Sequence, residues 1–411
     1  MSIRPLVEPP LARRHRAATL ALNGGLAHDP VTQAIAPNIS MSVNNAFAPG
    51  DGAFSADGVT DLTALPFLYA GWTNPTVRQL ELRMAALEGA DDALATASGT
   101  AAATAVFFTF LKAGDHLIVS DVCYAGVHEL ACKLLPDYGI EVSTVNLSRL
   151  DEVMAAIRPN TRLIHAETPC NPLLRLTDLA ALAELSQAHG ILLAVDSTFA
   201  TPVATCPLAH GADLVIHSLT KFINGHGDAL GGCVAGRKDL VARIRSRAGV
   251  YFGAALSSQN AWLIMRGIDT LFPRMQAMSA SASKIAAYLQ AHPAVTSVIY
   301  PGLQSHPQHD LAQRQMRLPG AMIIFQVRQL DAVAHRMAHE SEVFDYAFSI
   351  GHQRSLVVLL KTLDLLRSTF ALNAAQLADY RRYAGDGVLR LSIGLEDTQD
   401  LIDDLDHALR A

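Results

Sequence analysis

The strongest constraint on the fold is a regular alternation of short apolar runs with helical stretches between residues 93 and 219. Strands that are joined by helices are typical of repeated βαβ units, in which the strands run parallel. The chain therefore predicts an α/β fold with a mostly parallel central sheet and flanking helices, whose ligands bind beyond the carboxyl ends of the strands. After a first strand at Ala93–Ala97, the predicted strands are His116–Val122, Glu141–Val145, Leu163–Glu167, Ile191–Asp196 and Asp213–Leu219, with helical stretches such as Thr177–His189 between them.

Three regions of different texture divide the 411 residues. In residues 1–62, Asn, Gly, Pro and Ser interrupt short apolar pieces, and we expect an arm that contacts a neighbouring subunit. Residues 63–257 carry the alternating pattern and form the predicted ligand-binding domain. Residues 258–411 form a smaller α+β domain after a mostly helical segment, Ser258–Gln290, with Pro273 inside it. Further elements of that domain are predicted at Thr296–Tyr300, Ala321–Val327 and Val388–Ile393 (strands) and at Asp397–Ala411 (helix).

A small-residue turn follows the first predicted strand. Ser98, Gly99 and Thr100 separate this strand from the apolar helix Ala101–Leu111. The free backbone N–H groups of a helix N-terminus and the positive end of the helix dipole favour an anion. Many strand-to-helix turns use Ser-Gly without binding a ligand, so the motif gains its meaning from the residues that accompany it.

The most unusual position is Lys221, one of six lysines in the chain. It follows Leu214–Leu219, a run that is typical of a buried parallel strand. Burial disfavours the charged form of an amine, which leaves more of it free to attack a carbonyl and form a Schiff base. A solvated lysine at a strand end is the alternative. The hydroxyls of Ser218 and Thr220 favour a phosphate-bearing aldehyde, which indicates pyridoxal phosphate (PLP).

Polar residues follow three other predicted strands. Tyr124 comes after the second strand, Asn171 lies in a Pro-rich turn after Glu167, and Asp196 ends a run of five apolar residues with Thr198 close behind. A buried carboxylate without a partner is costly. The protonated nitrogen of a pyridine ring would supply a partner for Asp196, and a helix cap or an internal ion pair is the alternative.

Arg390 is the corresponding anomaly in the carboxyl-terminal region, because it interrupts the apolar run Val388–Ser392. A buried guanidinium needs an anionic partner. A substrate carboxylate held by its planar fork is one interpretation. An internal Asp or Glu is the other.

Composition and spacing exclude several classes of function. The net charge of −6 gives no reason to expect nucleic acid or a membrane surface as a partner. Five cysteines without a C-x-x-C pair fit neither a disulfide framework nor a zinc site, so no metal is expected. We expect a cytoplasmic protein, because no apolar run has the length of a signal peptide core or a membrane span. The glycines at 225, 227 and 231 have the wrong spacing for a dinucleotide loop and indicate a turn.

Taken together, these residues resemble the Cys/Met-metabolism (trans-sulfuration) family of PLP-dependent enzymes, from about Ala18 to the carboxyl terminus. The family contains cystathionine γ-synthase, cystathionine and methionine γ-lyases and homoserine-ester sulfhydrylases. The resemblance implies a PLP enzyme of fold type I, a homotetramer built of dimers, and a PLP-binding domain at residues 63–257. The motifs that carry it are Thr96–Gly99, Glu167–Pro172, Val195–Pro202, His217–Asp228 and Leu389–Glu396.

The resemblance also implies a role for each candidate residue. As catalytic residues, Lys221 would hold the cofactor and move protons, Asp196 would hold the pyridine nitrogen, and Tyr124 would stack on the ring and assist proton transfer. The remaining implied roles are a bond from Asn171 to the phenolic oxygen, a phosphate cradle of Gly99, Thr100, Ser218 and Thr220, and cofactor contacts of Ser98 and Thr198. Tyr69 would contact the neighbouring subunit's phosphate, and Arg390, Ser349 and Phe348 would form the substrate-binding region.

Three positions depart from the family pattern. Gly71 stands where the family has an arginine that binds the phosphate across the interface. Phe348 stands where enzymes of cystathionine commonly have a glutamate, so an apolar wall here disfavours a zwitterionic distal end. Gly126 stands where methionine γ-lyases typically have a reactive cysteine.

The resulting hypothesis is PLP-dependent γ-elimination from an L-amino acid with a heteroatom leaving group at Cγ, such as methionine, homocysteine or canavanine, giving a 2-oxo acid and ammonia. γ-Replacement, as in an O-acylhomoserine sulfhydrylase or a cystathionine γ-synthase, uses the same residues and stays open. A β-eliminating lyase and a non-catalytic protein that retains the fold are further alternatives. The sequence does not identify the leaving group.

Overall fold

The computed structural model describes residues 15–25, 28–29, 31–370 and 372–410. Residues 1–14, 26–27 and 30 of the predicted arm and Ala411 of the predicted last helix lie outside these ranges. Residues 31–61 have neither helix nor strand, apart from a bridge between Asn44 and Tyr69. No helix within the described part of the chain has the length and apolarity needed to cross a membrane. The domain boundaries at 62 and 257 stay predictions.

The central sheet has seven strands: β1 (Asp92–Thr96), β2 (His116–Ser120), β3 (Glu141–Val145), β4 (Thr161–Glu167), β5 (Leu192–Asp196), β6 (Leu214–Ser218) and β7 (Gly232–Gly236). Their order is β1-β7-β6-β5-β4-β2-β3, and the five strands from β6 to β3 are parallel. β7 runs antiparallel to both of its neighbours. The predicted strands are present, and the mostly parallel sheet is confirmed.

The elements around this sheet follow the predicted alternation. The helices are α1 (Ala17–Asn23), α2 (Pro75–Glu88), α3 (Gly99–Phe110), α4 (Ala125–Glu129), α5 (Leu135–Asp137), α6 (Leu150–Ala156), α7 (Leu179–Ala188), α8 (Thr201–Ala204) and α9 (Lys238–Ile244). Short 3₁₀ helices occur at Leu62–Ala64 and Pro207–His210, and short π-helical segments at Leu130–Leu134 and Arg245–Gly249. Because the strands β2 and β4 to β6 are almost entirely buried between these helices, they read as continuous apolar runs.

The carboxyl-terminal region contains a second sheet of five strands in the order β10-β11-β12-β9-β8. Its elements are α10 (Ser258–Asp269), α11 (Leu271–Ala291), β8 (Val295–Ile299), α12 (His309–Gln315), β9 (Met322–Val327), α13 (Leu330–His339), β10 (Asp345–Tyr346), β11 (Leu356–Lys361), α14 (Thr362–Leu366), α15 (Ala374–Ala384), β12 (Gly387–Ser392) and α16 (Thr398–Leu409). The predicted helical segment is two helices that part at Thr270, three residues before Pro273, since proline is tolerated only in the first turn of a helix.

Candidate active site

A cavity of about 660 Å³ opens where the parallel strands end and the second sheet faces them. Its position is the one expected for a ligand of a parallel sheet. All of the predicted site residues except Tyr69 line it: Ser98, Gly99, Thr100, Tyr124, Asn171, Asp196, Thr198, Ser218, Thr220, Lys221, Phe348, Ser349 and Arg390. Residues that are up to 292 positions apart in the sequence, such as Ser98 and Arg390, are thus brought to one place.

Lys221 projects into this cavity from the turn that follows β6. Its Nζ donates a hydrogen bond to Oγ of Ser349 at 3.0 Å. Burial, and secondly the charge of Arg390, lower the pKa of the Lys221 amine below its usual value. A lowered pKa leaves more neutral amine at a given pH, which is the form that attacks an aldehyde.

Ser98 and Gly99 form the start of α3 beside β6. The Ser98 hydroxyl caps the helix by accepting from the N–H of Ala101 at 3.1 Å. A Cβ on Gly99 would lie 2.7 Å from Cβ of Ser218, so glycine allows the helix end to approach the strand. The N–H groups of Gly99 and Thr100 belong to the first turn, where no intrahelical acceptor exists. They and the neighbouring hydroxyls form a cradle for an anion.

Two carboxylates lie side by side at the ends of β4 and β5, where Glu167 pairs in register with Asp196. The Glu167 oxygens accept from the backbone N–H groups of Tyr124 at 2.8 Å and of Asn171 at 2.5 Å. Burial and the charge of Asp196 raise the pKa of Glu167 well above its usual range. Asp196 accepts one bond, from the N–H of Thr198 at 2.9 Å, through Oδ1. Its Oδ2 has no donor within the described residues and can serve a ligand.

Arg390 enters the cavity from β12 of the second sheet. Its guanidinium donates to Oδ1 of Asn171 at 2.7 Å and to the carbonyl oxygen of Ser349 at 3.3 Å. Within the part of the chain that the structure covers, Arg390 forms no ion pair, and burial lowers its pKa to about 10. No Asp or Glu of the described residues forms an ion pair with Arg390, although the charge of Glu167 acts on it and opposes the lowering of its pKa. A carboxylate ligand is the interpretation that gives this buried cation a direct anionic partner.

Ser349 links the two cationic groups, through its hydroxyl to Lys221 and through its carbonyl to Arg390. Its φ angle of 104° lies in a region that residues other than glycine rarely adopt. Such strained residues concentrate at functional sites. The bend after Ser349 also brings Gly351 against Lys221, where a Cβ would lie 2.8 Å from the Lys221 carbonyl carbon.

The predicted aromatic residues differ in their positions. Tyr124 is half exposed, and its ring leans over Gly126, where a Cβ would lie 2.8 Å from the ring. Phe348 lines the cavity with three quarters of its surface exposed. Tyr69 lies outside the residues that line the cavity, and its predicted contact with a neighbouring subunit stays a prediction.

Sequence reasoning missed two parts of the site. Glu167 belongs to a motif of the sequence but received no role there, although it binds the backbone of both flanking turns. The second part is one wall of the cavity, which comes from β11, α14 and the residues after them. This wall is formed by Leu359, Leu360, Lys361, Asp364, Leu365, Ser368 and Phe370. No local pattern marks these residues, because they reach the cavity only through the packing of the second sheet on the first.

The residues present fit PLP. The cradle at Gly99 suits a phosphate, Oδ2 of Asp196 can accept from a pyridinium nitrogen, and the buried amine of Lys221 suits the aldehyde. Arg390 remains for the carboxylate of an amino acid. Each of these groups lines one continuous cavity.

Comparison with known proteins gives the same family over nearly the whole chain. Residues 18–410 match the family described as Cys/Met metabolism PLP-dependent enzyme. A canavanine gamma-lyase of Pseudomonas canavaninivorans is 42% identical over 400 residues, which are 96% of each chain. An O-succinylhomoserine sulfhydrylase of Pseudomonas aeruginosa is 42% identical over 348 residues, 84% of each chain.

Solved structures of such enzymes have the same fold. The cystathionine gamma-lyase of Lactobacillus plantarum, solved as a complex with L-serine, superposes with a TM-score of 0.85 at 33% identity. The superposition covers 96% of this chain and 98% of that one. The chain therefore belongs to the Cys/Met-metabolism family of PLP-dependent enzymes and has the type I fold of PLP enzymes.

Proposed function

We propose that this enzyme catalyses γ-elimination from an L-amino acid with a heteroatom leaving group at Cγ. The substrate and one water become a 2-oxo acid, ammonia and the protonated leaving group. The observation that carries the proposal is that Ser349 joins two cationic groups at one site. Its hydroxyl accepts from the amine of Lys221, and its carbonyl accepts from the buried guanidinium of Arg390, which has no ion pair among the described residues. This arrangement holds an amino acid by its carboxylate and places its α carbon within reach of a base.

In this reaction bound PLP supplies a conjugated ring that accepts the electrons released at Cα. Lys221 would hold the cofactor and move protons through Nζ, first from Cα and then from Cβ. Asp196 would keep the ring nitrogen protonated through Oδ2. Tyr124 would stack on the ring, a contact of roughly 0.5–1.5 kcal/mol. Asn171, which already accepts a hydrogen bond from Arg390, would orient the ring's oxygen.

The leaving group lies toward Phe348 and the wall formed by β11 and α14. Phe348 presents an apolar face there, which disfavours the zwitterionic far end of cystathionine. Methionine, homocysteine and canavanine lack such a zwitterion at their far ends. The likeness to a canavanine gamma-lyase over 96% of both chains supports elimination from this class of substrate.

γ-Replacement is the second candidate, supported by the likeness to an O-succinylhomoserine sulfhydrylase. The two reactions diverge only after the leaving group has departed. Water then completes elimination, whereas an added nucleophile completes replacement. The residues named above serve both reactions.

We further propose a homotetramer, a dimer of dimers, in the cytoplasm. Met41, Val43, Phe47 and Phe54 of the arm are exposed large apolar side chains, which a neighbouring subunit would cover. Light scattering should give four times the mass of the 44.0 kDa chain. A monomer in solution would contradict this proposal.

The test of the function is product analysis with matched substrates. The enzyme is incubated with methionine, homocysteine, canavanine and an O-acylhomoserine, with and without sulfide, and with S-methylcysteine as the Cβ-substituted control. γ-Elimination predicts 2-oxobutyrate and ammonia without sulfide. A sulfide-dependent product without the oxo acid would indicate replacement, and pyruvate from S-methylcysteine alone would indicate β-elimination.

A further inference from the structure

Asp364 is an acidic side chain of the cavity that the proposed chemistry does not use. It lies in α14, directly after β11, and belongs to the wall of the cavity that β11, α14 and the residues after them form. We call Leu359, Leu360, Lys361, Asp364 and Leu365 the distal wall. Among them Asp364 carries the single negative charge.

The three carboxylates that line the cavity differ in their partners. Glu167 is held by two backbone N–H groups, and Asp196 caps Thr198 and faces the cofactor position. Asp364 is exposed at the rim of the cavity and has no hydrogen bond and no ion pair with any residue that the structure describes. Its charge adds to that of Asp331 in raising the pKa of Lys361. Its cationic neighbour Lys361 bonds instead to Asp331 at 2.6 Å. A carboxylate at the wall of an amino-acid site is thus left free to bind a ligand.

The register of the second sheet places the end of β11, which leads into α14, beyond the position of Arg390. Val358 of β11 pairs with Arg390 of β12, and Leu360 lies two residues further along the strand. A strand rises about 3.3 Å per residue, so Leu360 is roughly 7 Å from the position opposite Arg390. An amino acid whose carboxylate is bound at Arg390 can therefore extend its side chain toward the distal wall.

We propose that Asp364 binds the cationic far end of the substrate and so selects amino acids with a cationic leaving group, of which a guanidinooxy group is the model. A guanidinium can meet a carboxylate with two parallel hydrogen bonds. The exposed face of Phe348 adds a ring on which a planar cation can stack. A zwitterionic far end would bring a second carboxylate toward Asp364. The inference rests on the proposed γ-elimination.

A competing role for Asp364 is to hold the charge of Lys361 at the rim of the cavity. Asp331 serves as the matched control, because it bonds directly to Lys361 and does not line the cavity. If Asp364 acted through Lys361, Asp331→Asn would change substrate choice at least as much as Asp364→Asn.

The experiment measures kcat/KM for canavanine and for methionine, followed as loss of the amino acid, in the wild-type holoenzyme and both variants. Asp364→Asn should lower kcat/KM for canavanine about ten- to hundred-fold, the loss expected for a charge-assisted hydrogen bond. In the same variant, kcat/KM for methionine should change less than about twofold, since methionine has no distal cation. Asp331→Asn should leave the ratio of the two kcat/KM values unchanged.

Three results overturn the inference. Equal fold losses of kcat/KM for both substrates in Asp364→Asn would show a structural role, and unchanged kcat/KM values for both would show no contact with the leaving group. A wild-type enzyme that uses methionine but not canavanine would exclude the cationic class while γ-elimination stands. Consumption of neither substrate, nor of the other Cγ-substituted amino acids, would instead overturn the proposed function itself.

Discussion

Replacement of Arg390 by leucine tests whether the buried guanidinium binds the substrate carboxylate. The side chain is 7% exposed, forms no ion pair within the described chain and already has Asn171 and Ser349 as neutral acceptors. A hydrogen bond to a charged group contributes about 1.5–3 kcal/mol. At about 1.4 kcal/mol for each factor of ten, kcat/KM for methionine should fall roughly 10- to 150-fold. Arg390→Lys keeps the charge but loses the planar fork, so we expect a smaller loss.

The assay that isolates this contact uses the same variants with methioninamide, which lacks the carboxylate. Replacing methionine by methioninamide should lower kcat/KM of the wild-type enzyme by about the same factor as the Arg390→Leu substitution lowers kcat/KM for methionine. The variant should use the two compounds almost equally. If Arg390→Leu lowers kcat/KM for the amide as much as for methionine, the guanidinium acts only through Asn171 and Ser349, and the assignment is wrong.

Three further predictions concern other buried groups. Glu167→Gln presents an amide donor to one of the two N–H groups from which Glu167 accepts. Above the raised pKa of Glu167, where both of its oxygens accept, the change should cost about 1–3 kcal/mol in denaturant unfolding and weaken cofactor retention, and unchanged values there would contradict the bridging role. Burial lowers the pKa of Lys221, so the rate at which PLP combines with the apoprotein should rise with pH and level off below the ordinary lysine pKa. A rate that rises with a midpoint near 10.5 would contradict this. Arg245→Met leaves Glu81 buried beside fewer cations, so unfolding should become about 3 kcal/mol easier, whereas a change below about 0.5 kcal/mol would show that the network is neutral.

The sequence was most informative about the parallel sheet, because a strand that is buried on both faces consists of an almost continuous run of apolar residues with the length of a strand. β7 was missed, since its five residues begin and end with glycine, which weakens a strand pattern. The fold requires one of these glycines, because a Cβ on Gly232 would lie 2.0 Å from the carbonyl oxygen of Ser98. β11 was missed as well, and with it the distal wall.

The sequence indicates a site residue most clearly where a polar side chain interrupts or directly follows an apolar strand. It is less informative where segments that are distant in the sequence come together. Lys221, Asp196 and Arg390 are polar residues in or after apolar runs, an arrangement that is costly without a ligand. Ser349 and Phe348 came from the family resemblance alone. The unusual backbone of Ser349 and the free carboxylate of Asp364 depend on contacts between the two sheets, which no local pattern records.

The most direct test of the account is a paired measurement on the wild-type protein and Lys221→Ala. The visible absorbance is recorded as methionine and then canavanine are added, and released 2-oxobutyrate is quantified in the same sample. The account predicts a coloured wild-type protein whose spectrum changes with substrate as the oxo acid accumulates, and a variant that forms none. A colourless wild-type protein, or oxo acid formation that persists in Lys221→Ala, would contradict it.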